Sequence, residues 1–480
     1  MFKSKIIQWA LVLLSGIFFY FGFMLSGNFG WLIWIAPIPI IYISLLVNPR
    51  RAFGFAVVSY LIGRMSWFPY LKSVMPVVPA ILSTVLLPLI FGLIILASRK
   101  IVLNAQHWFS VFAYPVLFTA FEYIVFIFSR DGTAGSIAYT QSNYLFLIQI
   151  ASLTGLLGIT FLISFIPSAI ALSWHFKEEK KTAFTLLFIL MLLLGDSVLF
   201  SLIRLGKASK GKTLNVGLVA LDESSYKGIY QNDPAVKIKI ADLYVQEIAK
   251  LADQGAQVIL IPEKVIFVND SSIADILNRF TKLAELRRIR IIIGGNKEKK
   301  GYALNNSWVI SENGKLLADY QKVNLFEGEV LDGCRPGKGI AIFQTGSFNE
   351  GTAICKDMDF QQFILGYSKQ SPAVLWVPAW DFVVDGFLHS RMAIMRGIEG
   401  GFSLVRNARQ GRLTISDWRG KVLYEANSQN GLYTVLTGKI SVEPHPTLYA
   451  RAGDWFGTIN LFAAIGFVVF LFKRKKTLPV

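Results

Sequence analysis

Cysteine, histidine and acidic side chains are scarce in this chain. Its 480 residues hold two Cys and four His, and only 31 Asp plus Glu against 48 Lys plus Arg. Two cysteines cannot build a disulfide framework. The histidines form neither a Cys/His cluster nor H-E-x-x-H, so no metal and no other cofactor is called for. Charged residues make up 16% of the sequence and hydrophobic ones 53%, more apolar surface than an ordinary soluble domain needs. The net charge of +17 would suit nucleic acid, but the basic residues sit beside apolar runs rather than in a stripe with interleaved aromatics. A nucleic-acid partner is therefore not expected.

What the chain has in abundance is long apolar runs. Stretches near 6 to 26, 29 to 47, 51 to 69, 75 to 97, 107 to 128, 157 to 175, 183 to 204 and 456 to 472 approach the roughly 20 residues that cross a bilayer. They predict about eight spans. No small-residue cleavage pattern follows the first run, which reads as an uncleaved anchor. Lys3 and Lys5, Arg50 and Arg51, Arg99 and Lys100, Lys177 with Lys180 and Lys181, and the basic tail from Lys473 to Lys476 fall on alternate sides of successive spans. By the positive-inside rule both termini face the cytoplasm, and the segment after the seventh span faces outward, into the periplasm of a bacterium with an inner membrane. Arg64, Glu122 and Asp196 are ionisable groups inside spans, where such residues pair or face water. Arg64 and Glu122 are expected at similar depth, either as an ion pair or as part of a polar, substrate-binding cavity.

From about 212 to 440 short apolar runs alternate with helical spacing. Thr213 to Ala220, Gln257 to Ile261, Arg290 to Gly294, Ser307 to Ile310, Gly351 to Ile354 and Ala373 to Val377 read as strands. Val236 to Leu251, Ile273 to Arg287 and Ser390 to Glu399 read as helices. The alternation predicts an α/β domain. The expected organisation is a transmembrane domain over 1–205, a linker over 206–212, an α/β domain over 213–440, and a last span with a basic tail over 441–480.

Gly206 to Thr213 spells G-x-x-x-x-G-K-T, but a membrane span precedes it and a strand follows, the wrong context for a phosphate loop. Cys334 and Cys355 would face an oxidising compartment, where a disulfide is the default. Against that, Cys355 follows a strand-like run and precedes Lys356-Asp357 and a helical stretch. A thiol on such an elbow, beside a lysine, would have a lowered pKa and serve as a nucleophile. Glu263 and Lys322 each follow a strand-like run and could supply a general base and a cation for a developing oxyanion. His389, at an expected helix start, reads as a capping or exposed residue.

Glu263, Lys322 and Cys355 resemble the Glu-Lys-Cys constellation of the carbon-nitrogen hydrolase (nitrilase) superfamily, and the full chain resembles its membrane-embedded apolipoprotein N-acyltransferase family. Gly135-x-x-x-Tyr139-x-Gln141, Gln149-x-Ala151, Gly155-x-x-Gly158 with Phe161-Leu162, Ala379-Trp380 and His389-x-x-Met392-Ala393-x-x-Arg396-Gly397-x-Glu399 carry the likeness. The resemblance implies a polytopic helical membrane bundle bearing an extracytoplasmic αββα sandwich. It implies that Glu263 deprotonates Cys355, that Lys322 and the Lys356 amide stabilise the oxyanion, and that Trp380 lines the substrate site. The implied partners are a phospholipid acyl donor, a diacylglyceryl apolipoprotein acceptor and membrane lipid. The chain departs from the family where Lys322 is followed by Val-Asn-Leu-Phe-Glu-Gly-Glu, so that Glu327 competes with Glu329 as the supporting carboxylate. Other departures are Lys356-Asp357 for tyrosine-glutamate, Val377-Pro378 for asparagine-aspartate, and Ala408-Arg409 for threonine-asparagine. A membrane-anchored amidase or lipid hydrolase with the same triad, and a non-catalytic binding or transport protein, are the competing readings.

Overall fold

The computed structural model describes residues 4–209, 211–227 and 233–473. Lys3, Lys210 in the basic linker and the tail from Arg474 onward lie outside the described residues. The chain divides into two compact units, Met1–Gly206 with Asp454–Val480, and Lys207–Gly453.

In the first unit six helices are long and apolar enough to cross a membrane among the described residues: Lys5–Gly22, Val77–Ala105, Trp108–Phe128, Leu156–His175, Lys180–Leu205 and Trp455–Phe472. Two of the eight expected spans fall short. The run at 29 to 47 breaks into a 3-10 turn, Gly30–Trp34, and a 10-residue helix that starts at Pro37, where the missing N–H costs nothing. The run at 51 to 69 becomes the 16-residue helix Pro49–Arg64, capped at its start by Asn48, whose side chain accepts the Arg51 N–H at 3.0 Å. Three arginines at its ends leave a short apolar middle.

The expected Arg64–Glu122 ion pair is not formed. The Glu122 carboxylate is held locally by Ser136 Oγ at 3.0 Å, the Ile137 N–H at 2.8 Å and Thr160 Oγ1. Three donors thus satisfy it without a cation. Arg64 instead lies over the Trp67 ring at 4.7 Å. Asp196 is exposed on its helix and joins neither.

The second unit is an αββα sandwich. One sheet runs in the order Thr434–Val442, Lys212–Ala220, Val258–Leu260, Arg290–Lys299, Tyr302–Ile310, Leu316–Gln321, with Ile266–Asn269 also paired to Arg290–Lys299. The other runs Val422–Asn427, Arg412–Ser416, Ser403–Arg409, Val374–Trp380, Phe348–Thr352, Ala341–Thr345. The central strands are covered on both faces, which explains why Val258–Leu260 and Ile291 to Ile293 read as unbroken apolar runs. Helix Pro234–Asp253 starts at an Asp233 cap with Pro234 in the first turn. Helix Ile273–Arg287 buries Ile276, Phe280, Leu283 and Ala284 at helical spacing.

Polar contacts join the two sheets across a core that is otherwise apolar. Arg290 of the first sheet meets Glu350 of the second at 2.8 Å, and Glu350 also accepts the Trp376 indole N–H at 2.6 Å. Asn407 donates to the carbonyls of Val219 and Leu260 at 3.0 and 2.6 Å. Ser307 and Thr352 share a hydroxyl bond of 2.7 Å. Removing one partner of a buried pair strands the other charge, so Glu350→Ala is expected to cost about 3–5 kcal/mol. Thermal unfolding of the detergent-solubilised chain checks this as a lowered Tm with the helical content of the membrane unit retained.

Candidate active site

Three strand ends converge. Glu263 follows Val258–Leu260, Lys322 follows Leu316–Gln321, and Cys355 follows Phe348–Thr352 of the opposite sheet. Gly294 lets the first of these turns approach: a Cβ there would stand 2.1 Å from the Pro262 carbonyl oxygen and 2.7 Å from Glu263 Cα. The Glu263 N–H donates to the Ala379 carbonyl at 3.3 Å, tying that turn to the second sheet.

Lys322 is the centre of the arrangement. Its Nζ lies 2.8 Å from Glu263 Oε1 and 2.6 Å from Glu329 Oε2, with its side chain 2% exposed. Asn305 donates through one nitrogen to both carboxylates, at 2.6 Å each. Lys264 adds a second cation 3.4 Å from Glu329. Burial opposes the charge on Lys322, but Glu263 and Glu329 outweigh it and raise its pKa well above the usual lysine range. Glu329 is held below the usual carboxylate range: burial works against this, and Lys322 and Lys264 overcome it. Of the two competing glutamates, Glu329 reaches the lysine, whereas Glu327 is exposed.

Cys355 sits at φ 42°, a left-handed conformation that costs a non-glycine residue energy and is held by its surroundings. Its thiol lies 3.5 Å from the Trp380 carbonyl oxygen. Its electrostatic neighbours are Glu263, Lys322, Asp381 and Arg406. The expected lowering of its pKa is not found. Burial pushes the thiol well above its usual range and Glu263 pushes the same way, while Lys322 and Arg406 only partly offset them. Cys334 and Cys355 are both free, and Cys334 stands 3.9 Å from Lys264 Nζ.

Asp357 clasps the segments on either side. It accepts the Tyr320 hydroxyl at 2.7 Å, the Asn324 N–H at 2.8 Å and the Ile354 N–H at 3.0 Å, so it fixes residues two before and two after Lys322 and the residue before Cys355. The Lys356 side chain passes over the Phe326 ring at 5.7 Å. Trp380 donates its indole N–H to Gln410 at 3.0 Å, and the Arg409 guanidinium stacks between it, at 4.2 Å, and Tyr226, at 3.9 Å.

His389 is not the capping or exposed residue expected. It is half-buried in the first turns of helix Gly386–Gly400, beside Asp385 at 3.2 Å and Asp359 at 3.6 Å. Burial disfavours its charge, but the two carboxylates raise its pKa well above the usual histidine range. Asn305, Lys264 and the clasping role of Asp357 escaped sequence reasoning. A signal existed for the first: Asn305, Asn306 and Ser307 form a polar triplet in a strand that is otherwise apolar.

The comparisons with known proteins follow the same division. Residues 15–169 match the family model for the apolipoprotein N-acyltransferase N-terminal domain, and residues 216–442 match that for carbon-nitrogen hydrolase. The apolipoprotein N-acyltransferase of Geobacter metallireducens is 23% identical over 98% of this chain and 96% of its own length. Over nearly its whole length the chain is similar to apolipoprotein N-acyltransferases. A second relative of that name, from Haemophilus ducreyi, is 27% identical over 80% of this chain and 77% of its own. The deaminated glutathione amidase of a Synechocystis strain is 28% identical and covers 39% of this chain and 83% of itself. The two matched models and these relatives support a multi-pass membrane acyltransferase of lipoprotein N-acylation, built on a carbon-nitrogen hydrolase domain.

Two outcomes are expected of the site. With its pKa raised, Cys355 is a neutral thiol at pH 7. Its alkylation by iodoacetamide, followed by peptide mass mapping, should still be accelerating beyond about pH 10, where an ordinary thiol has nearly levelled off. A plateau near neutrality would mean a resting thiolate. Asp357→Ala leaves buried donors without an acceptor and should destabilise the unit on the order of 3 kcal/mol, read as a lowered Tm together with slower reaction of Cys355.

Proposed function

We propose that the protein transfers a fatty acyl chain from a phospholipid to the α-amino group of a diacylglyceryl-cysteine at a lipoprotein N-terminus, through a thioester on Cys355. The observation that carries this reading is the buried Lys322 ammonium held between Glu263 and Glu329, beside a thiol fixed in a left-handed turn.

In the first half-reaction Glu263 takes the Cys355 proton as sulfur attacks the ester carbonyl carbon. The oxyanion meets Lys322 and the Lys356 amide. Collapse breaks the ester bond, Glu263 returns the proton to the departing alkoxide, and a lysophospholipid leaves. In the second half-reaction the amine attacks the thioester and gives a proton to Glu263. The C–S bond breaks, an amide forms and the thiol is restored. One nucleophile serving two lipids in turn gives ping-pong kinetics. Glu329, Asn305 and Lys264 position Lys322, and Trp380 lines the approach to the thiol.

In this reading residues 1–205 and 441–480 anchor the enzyme in a bacterial inner membrane with both termini cytoplasmic, and residues 213–440 form the periplasmic catalytic domain. The alternation of basic flanks along the sequence supports that orientation. A hydrolase reading, with water as the acceptor, is favoured by the relative named as an amidase, which covers 39% of this chain.

Intact mass of the purified protein with phospholipid separates the two. The expected result is an acyl adduct that is absent from Cys355→Ala, persists without amine and is discharged onto a diacylglyceryl-cysteine peptide. An adduct lost equally fast to water supports the hydrolase, and the absence of any adduct removes the thioester mechanism.

A further inference from the structure

Arg64 ends helix Pro49–Arg64 with its side chain 96% removed from solvent, in a unit that spans a membrane. Its Nε has no hydrogen-bond partner, and no carboxylate lies within ion-pair distance of it among the described residues. What surrounds the guanidinium is aromatic: the Trp67 ring at 4.7 Å and the Phe23 ring at 5.9 Å. The Trp67 indole N–H is spent on the Phe23 carbonyl at 2.6 Å, which fixes both rings beside the cation. Gly135, at φ +90°, closes over Trp67, where a Cβ would come within 3.8 Å of the ring. The nearest candidate counter-ion by sequence depth, Glu122, is fully engaged elsewhere.

An arginine buried in apolar surroundings without an anion is costly, and stacking on two rings recovers only part of that cost. A guanidinium presents a planar fork that fits the oxygens of a phosphate ester, and its stacked geometry leaves the fork edge for a ligand. We propose that Arg64, backed by Trp67 and Phe23, is a binding site for the phosphate ester of a phospholipid, and that the lipid held there is the acyl donor. This rests on the function proposed above, which supplies phospholipid as substrate but assigns it no phosphate contact. Shared chemistry allows a second source, a resident structural lipid, and the test separates the two.

The experiment compares the full chain with Arg64→Gln and Arg64→Lys. Each is given phosphatidylglycerol or the phosphate-free donor p-nitrophenyl palmitate, and the rate of adduct formation on Cys355 is read by intact mass. A charge-assisted contact predicts that Arg64→Gln lowers the ratio of the phospholipid rate to the palmitate rate by about tenfold or more, with Arg64→Lys intermediate. An equal loss with both donors, or no loss, overturns the proposal. Native mass spectrometry of Cys355→Ala with a non-cleavable diether phosphatidylglycerol reads binding without chemistry. Retention lost on adding Arg64→Gln is expected, and unchanged retention overturns the site even if no thioester forms in the wild type. The same diether lipid should inhibit wild-type acylation by phosphatidylglycerol competitively. Retention without competition would assign the site to a structural lipid and overturn its donor role.

Discussion

A cation buried between two carboxylates governs the second unit. Lys322 and Lys264 face Glu263 and Glu329, two charges of each sign in a volume with almost no solvent. Removing such groups from water costs several kcal/mol per ion, and their attraction compensates only when distances are short and the remaining lone pairs are used. The contacts to Lys322 are at hydrogen-bond length, and Asn305 adds a donor to each carboxylate, on the Glu263 oxygen that Lys322 also meets and on the other oxygen of Glu329. The cluster is charge-balanced as a set and unbalanced as soon as one member is lost. The strand ends that bear Glu263 and Lys322 must therefore keep their register, and the polar contacts that lock one sheet to the other serve that end.

The thiol depends on the same balance from outside it. Cys355 reaches the cluster from the opposite sheet, on a left-handed turn next to Asp357, which accepts from Tyr320, Ile354 and both nitrogens of Asn324. A thiolate there would add an uncompensated negative charge beside Glu263. The neutral thiol is the form that the resting cluster tolerates, and on the proposed mechanism its proton would leave only as the substrate carbonyl accepts the developing charge. Burial rather than the adjacent lysine sets the thiol's state, because a lysine already shared by two carboxylates has little field left for a third anion.

The sandwich was legible in the sequence because its strands are short, its helices amphipathic and its layers local in origin. Val258–Leu260 and Ile291 to Ile293 announce strands buried on both faces, and Ile276, Phe280 and Leu283 announce one helical face. The positions of Glu263, Lys322 and Cys355 at strand ends were legible for the same reason. Partner choice was not. Asn305 and Glu263 are 42 residues apart and meet only because two strands end side by side. His389 reads as a helix-start residue until Asp359 arrives from another segment. Arg64 and Glu122 suggest a pair by depth alone, but the backbone and hydroxyls that follow Glu122 reach it first. The span count failed where proline and arginine shorten a helix without making the run less apolar on average.

Nothing in the Glu-Lys-Cys arrangement distinguishes an amine from water as the second nucleophile, since Glu263 would accept a proton from either. The choice between transfer and hydrolysis must then lie in what reaches the thioester and how long water is kept from it. That places the distinction outside the triad, in what surrounds the thioester. The relatives differ in reach: the amidase of Synechocystis covers 39% of this chain, whereas the relatives named as N-acyltransferases cover 98% and 80% of it. On the proposed function, a membrane unit that supplied donor and acceptor at high local concentration, and no water, would turn a hydrolytic constellation into a transferring one without altering a catalytic residue.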